Sequence, residues 1–257
     1  MVTCRSIINS VFKLDMKEHD YTTMWLEDAN LSLQRGNKET ARTMFDVAVE
    51  LDPKQRRLWE GYVGLEYRLE DHERYREVLK RAAKAEGDVA QPFLLKLSKE
   101  HLRSGNPIKA KELLKDAVTA NPNNEVLSLA YAEILKQMKE TDKCRSILKE
   151  AEQNIQTANI WKYHIKLERD MGDISKALEV SKEAVAKFPY DVDLACDLSI
   201  VYEELNKFEK SRENYISLIK TPKCQRKSRP WIQYMHLEEK LGGAQKVSEL
   251  YLGPHSI

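Results

Sequence analysis

The sequence predicts an all-α fold, an α–α superhelix (solenoid) of about seven stacked helical hairpins filling residues 1–257 as a single array. Three observations predict it. Tryptophans at 25, 59, 161 and 231 open segments that resemble one another, and intervening segments keep the spacing without the Trp, so units start near 25, 59, 94, 128, 161, 195 and 231. A period of 34 or so residues is that of a helix–turn–helix repeat. With only 9 Gly and 8 Pro, turn formers are at about half their usual share, which argues against a many-stranded sandwich or barrel. Charged residues of both signs reach 32%, as exposed helical faces require.

Each unit is justified by the same offsets. From Trp25 these are Gly36 at +11, Ala41 at +16, Phe45 at +20, Ala48 at +23 and Pro53 at +28; from Trp161 they are Gly172, Ala177, Ser181, Ala184 and Pro189. Leu94 stands at the Trp position of a unit carrying Gly105, Ala110, Leu114, Ala117 and Pro122. Trp59 is followed by Glu70, Tyr75, Leu79 and Ala82, so there the helical positions survive and the Gly does not. Weaker copies begin near Ser128, with Cys144, Leu148 and Ala151, and near Ala195, with Asn206, Ser211, Tyr215 and Leu218. Residues 1–20 resemble the second helix of a preceding, partial repeat.

Within a unit, one amphipathic helix runs from the Trp position to just before +11, and a second carries the +16, +20 and +23 positions. Small residues at +16 and +23 let the two helices approach, and the bulky residue at +20 fills the space between them. Glycine at +11 supplies a left-handed C-cap, and Pro at +28 cannot continue a helix. One hairpin cannot cover both of its faces, so neighbours stack into a continuous core.

A second recurrence is Leu-Glu at +6 and +7: Leu65-Glu66, Leu167-Glu168 and Leu237-Glu238, each downstream of a Trp. The tetratricopeptide pattern of Leu-Gly at +3 and +4 is not met, those positions being Asp28-Ala29, Tyr62-Val63 and His164-Ile165. The W-x5-L-E pattern, followed by Ala41-Arg42-Thr43-Met44-Phe45, resembles the half-a-TPR (HAT) repeat. The ordered succession through Thr40-Ala41-Arg42, Pro53-Lys54, Asn121-Pro122-Asn123-Asn124-Glu125, Lys166-Leu167-Glu168 and His236-Leu237-Glu238-Glu239-Lys240-Leu241-Gly242 resembles the spliceosomal pre-mRNA-processing factor six family. That resemblance implies a non-catalytic scaffold that bridges snRNP particles in tri-snRNP assembly, a nuclear location, and spliceosomal snRNP proteins as partners. The rivals are a HAT scaffold of mRNA 3′-end formation or ribosomal RNA maturation, and a tetratricopeptide co-chaperone.

Candidate chemistry is sparse. The recurring Trp residues are expected in the core rather than as base-stacking platforms, and the Leu-Glu glutamates are expected to cap or pair between helices, since an active site is built once and not every 34 residues. The six histidines form no H-x3-H or H-E-x-x-H arrangement, and Cys4, Cys144, Cys196 and Cys224 are too widely spaced for a C-x-x-C site. Such cysteines suit a reducing, intracellular compartment. No cofactor, metal, small-molecule substrate or membrane anchor is expected, and no reaction is assigned. Net charge is +1, so any nucleic-acid contact must be local.

Two local charge patterns are candidates. If first helices line a concave groove, Arg57, Arg68, Lys99, Arg103, Lys136, Lys162, Lys166 and Arg169 make its middle basic, and Asp193, Glu203 and Glu204 make a later stretch acidic. The groove reading has the basic stretch holding an acidic peptide or an RNA backbone; the plainer one is a solvated face. Lys220, Lys223, Arg226, Lys227 and Arg229 form a basic loop in the longest connection, either solvated or in contact with snRNA or an acidic protein.

Overall fold

The computed structural model describes residues 18–85, 89–221 and 227–243, and they are helical, with no strand among them. Residues 1–17, where most of the expected partial repeat falls, lie outside the described residues. The chain divides into two compact units, 1–120 and 121–257.

The first unit holds three hairpins: α1 (Glu18–Gln34) with α2 (Lys38–Leu51), α3 (Arg56–Arg68) with α4 (His72–Ala82), and α5 (Ala90–Arg103) with α6 (Pro107–Ala120). The second holds α7 (Glu125–Gln137) with α8 (Thr141–Asn154), α9 (Ala158–Asp170) with α10 (Ile174–Lys187), α11 (Val192–Glu204) with α12 (Phe208–Lys220), and α13 (Ser228–Lys240). Contacts within each unit follow the repeat: second helices pack on their own first helix and on the first helix of the next hairpin of that unit, α1 touches α3, α7 touches α9, α9 touches α11 and α11 touches α13. This all-α helical-repeat architecture is the one that the period predicts.

The first helices start earlier than the Trp position. α3, α9 and α13 each begin three residues before their Trp, after Gln55, Thr157 and Lys227, and α7 and α11 begin at the same offset, after Asn124 and Asp191, whose side chains accept hydrogen bonds from the amides of Leu127 and Leu194. The small and bulky offsets are buried as expected. Ala41, Ala110, Cys144 and Ala177 at +16, and Phe45, Leu79, Leu114, Leu148 and Tyr215 at +20, are all 0–1% exposed. Phe45 stacks on Tyr62 of the next hairpin at 5.5 Å between centroids. Trp59 and Trp161 are buried, and the Trp59 indole N–H donates to the Pro53 carbonyl at 2.9 Å.

The third hairpin departs from its neighbours. α5 has 14 residues where α3, α7, α9, α11 and α13 have 13, and Phe93, not Leu94, occupies the aromatic slot, fully buried. The extra residue lies between the aromatic and the turn.

All seven +11 positions adopt left-handed backbone: Gly36, Gly105, Gly172 and Gly242 at φ +71° to +82°, and also Glu70, Lys139 and Asn206 at +56° to +59°. In six of them the amide at +11 bonds back three residues and the next amide bonds back five, as with Lys139 to Lys136 and Glu140 to Leu135. That is the Schellman closure of a helix end, and it is kept where glycine is not.

Candidate functional site

The Leu-Glu glutamates are the best-built polar feature. Arg42 at the start of α2 reaches Glu66 of α3 through two bonds, Nε to Oε1 at 2.9 Å and Nη2 to Oε2 at 2.7 Å. Arg145 of α8 grips Glu168 of α9 the same way at 2.7 Å twice, and Arg212 of α12 grips Glu238 of α13 at 2.6 and 3.0 Å. All three glutamates are at most 1% exposed. Each arginine sits at +17 of one hairpin and its glutamate at +7 of the next, so the pair is an inter-repeat clamp, bidentate and charge-assisted. Burial alone would push the Glu168 carboxyl up, but the hydrogen bond and charge of Arg145, with His164 adding to them, hold it below the usual carboxylate range.

A fourth clamp was hidden by the register of the third hairpin. Arg76 of α4 meets Glu100 of α5 at 3.4 Å. Counting from Leu94 puts His101 at +7; counting from Phe93, the residue that fills the aromatic slot, puts Glu100 there. Where the glutamate is replaced by Leu135 or Tyr202, the preceding +17 residue is Lys111 or Leu178, so no +7 glutamate of the described hairpins lacks a +17 arginine partner. His164, 2% exposed, extends the second unit's network by bonding Glu152 through Nδ1 at 2.6 Å and approaching Glu168 through Nε2 at 3.3 Å. Burial pushes the Cys144 thiol up to about 11, as fits a small core side chain.

The groove cations divide into two sets. Lys136 pairs with Asp170 at 2.6 Å, Lys162 with Asp191 at 3.0 Å and Asp193 at 3.6 Å, and Arg169 with Glu204 at 2.5 Å. Arg68 donates to the Asn30 side chain at 3.0 Å. Lys162 and Arg169 of the basic middle and Asp193 and Glu204 of the acidic later stretch, read in the sequence as separate patches, are thus partners in a ladder running between first helices of the second unit. The hydrogen bond from Lys136 holds the Asp170 carboxyl below its usual range. Arg57, Lys99, Arg103 and Lys166 are exposed and make no hydrogen bond or ion pair among the described residues.

Of the basic loop, Lys223 and Arg226 lie outside the described residues. Lys220 ends α12 and Lys227 caps α13, both exposed. Arg229 is not a loop residue. It lies in the first turn of α13 and clamps Asp193 at 2.9 Å and Asp197 at 2.6 Å on α11.

Among the described residues no group of three His, Cys, Asp or Glu side chains could hold a metal ion, and no helix is long and apolar enough to cross a membrane. Each clamp carboxylate among the described residues is held by a guanidinium. Its chemistry is that of a joint between hairpins.

This geometry defines an all-α helical-repeat protein. The tetratricopeptide repeat family model matches residues 101–162, from the end of α5 to the start of α9. The pre-mRNA-splicing factor CLF1 of Yarrowia lipolytica is 25% identical over 211 residues, 76% of this chain and 30% of that protein, so the chain spans less than a third of its relative's length. Among solved structures, a tetratricopeptide repeat protein from Parabacteroides merdae aligns with TM-score 0.48 and 11% identity over 91% of this chain and 92% of that one. MamA aligns with TM-score 0.46 and 16% identity over 60% of this chain and 90% of its own.

Proposed function

We propose that this chain is a non-catalytic protein-interaction scaffold of pre-mRNA splicing, working in the nucleus among snRNP proteins in the manner of a factor that bridges particles. The observation that carries the reading is the similarity to a splicing factor over three quarters of the chain, in a protein whose most elaborate polar chemistry joins one hairpin to the next. The shared offsets on either side of residue 120 support a single repeat array. Such an array holds partners at set separations without one deep pocket. Arg57, Lys99, Arg103 and Lys166, together with Lys220, Lys223, Arg226 and Lys227, are the cations this reading assigns to partner contact, with RNA touched only through such local patches.

Affinity purification of the tagged chain from nuclear extract, with crosslinking mass spectrometry and sequencing of the recovered RNA, tests it. Enrichment of snRNP proteins and spliceosomal snRNAs is the expected result. Recovery of ribosomal precursors, or of 3′-end-processing factors without snRNAs, would overturn the assignment to splicing.

A further inference from the structure

The ladder between first helices has a repeating rung. Counted back from the turn, the +8 residue of one hairpin meets the +9 residue of the next: Lys136 with Asp170, and Arg169 with Glu204. Between α3 and α5 the same two positions carry Tyr67 and Arg103. Tyr67 is 70% exposed, and Arg103 has no hydrogen bond or ion pair among the described residues. Here the rung has a cation and no anion.

A cleft of about 680 Å3 opens at this place, on the turn edge of the second and third hairpins, with Tyr75 and Arg76 of α4 on its other wall. The extra residue of α5 sets Glu100 one position farther from the turn than Glu66 is from its own, and the Arg76 clamp that lines the cleft is 3.4 Å long. Of the two carboxylates lining the cleft, Glu66 is fully engaged by Arg42, and only Glu100 opposes Arg76 and Arg103. The neighbouring His101 reports the same field, since burial and then Lys80, Lys109 and Arg76 lower its pKa and Glu100 alone opposes them. The Tyr67 and Tyr75 rings stand 6.0 Å apart at 54°, giving the cleft an aromatic wall beside its cations.

We propose that this cleft docks an acidic linear segment of a protein partner, one carboxylate taking the empty anionic place opposite Arg103 and Arg76 and an adjoining apolar side chain lying on Tyr67. The proposal names a partner class for one position of the scaffold surface above and rests on the scaffold reading, not on its assignment to splicing. A peptide fits better than a nucleic-acid backbone because the surplus charge is confined to one cleft whose wall also carries Glu66 and Glu100; a chain of phosphates would pass both carboxylates, whereas a single carboxylate need not.

A random dodecapeptide library displayed on phage and panned against the intact chain is the probe. Enriched peptides should combine Asp or Glu with an apolar or aromatic neighbour. Arg103→Glu should weaken the best of them at least tenfold, equivalent to about 1.4 kcal/mol. Tyr67→Ala should weaken it several-fold, and Lys182→Glu, an exposed charge reversal in the other unit, should leave affinity unchanged. Both cleft residues are exposed, so circular dichroism should show the variants folded. Failure to enrich acidic peptides, equal binding by Arg103→Glu, or displacement of the peptide by oligouridylate at lower concentration than by the peptide itself would overturn the proposal. The last outcome would assign the cleft to RNA. If Arg103→Glu still recovers the same partners from extract while losing no peptide affinity, this cleft falls and the scaffold reading stands.

Discussion

Replacing Lys139 by glycine is expected to stabilise the protein, although it removes a side chain from a helix end. Lys139 is exposed, sits at φ +59°, and makes its Schellman bond to Lys136 through backbone alone. Left-handed backbone costs an L-residue roughly 1–2 kcal/mol. Glycine relieves that strain but gives back about 0.5–1 kcal/mol through its freer unfolded chain. The net gain is therefore ~0.5–1 kcal/mol, which for a chain of this size raises the melting midpoint by about 1–4 °C. Glu70→Gly, at φ +57°, should gain as much, whereas Asn206→Gly should gain less because Asn tolerates the left-handed region. The converse variant, Gly105→Ala, should lose on the order of 1 kcal/mol, and its new methyl would meet nothing within 4 Å, so the loss is conformational rather than steric. Urea unfolding followed by circular dichroism measures all four. Equal gains at Asn206 and Lys139, or a loss at Lys139, would refute the claim that the +11 backbone is imposed on those residues by the repeat.

Glu66→Leu should cost about 3–5 kcal/mol by leaving the Arg42 guanidinium mostly buried with only Glu39 and Asp71, while the double variant Arg42→Met/Glu66→Leu should recover most of that; guanidinium unfolding of the double-mutant cycle reads it. Gly61→Ala should cost about 1–3 kcal/mol in the same assay, since an added Cβ would lie 2.6 Å from Leu26 Cδ2 and 2.8 Å from Phe45 Cε1. Because Lys136 depresses the folded pKa of Asp170, that pair contributes stability above the unfolded carboxylate pKa of about 3.9 and loses it as pH falls through the lower folded value. Lys136→Met should accordingly flatten the acid limb of a stability-against-pH profile, with the difference from the parent shrinking toward zero below that range.

The hairpins, their order and their core positions were legible because the offsets are dictated locally: a helix buries what recurs on one face, and Ala41, Phe45 and Ala48 recur in kind along the chain. The Leu-Glu glutamates were recognisable as joints for the same reason. Their partners were less visible, since Arg42 and Glu66 lie 24 residues apart and only packing shows that +17 of one hairpin faces +7 of the next. Glu100 was missed because one additional residue in α5 shifted the count, and Phe93 rather than Leu94 marks the frame.

Charge was the least readable property. A sequence shows Lys162 and Asp193, or Arg169 and Glu204, as separate patches 31 and 35 residues apart, yet stacking brings each pair within 4 Å and, with Lys136 on Asp170, takes three of the eight cations out of the apparent basic stretch. Periodicity along the chain thus determined the helices, the turns and the core, because those depend on neighbours three to five residues away. Which cations keep no partner, above all Arg103, was decided by the contacts between hairpins, because an ion pair depends on two side chains that meet only after the repeats have stacked.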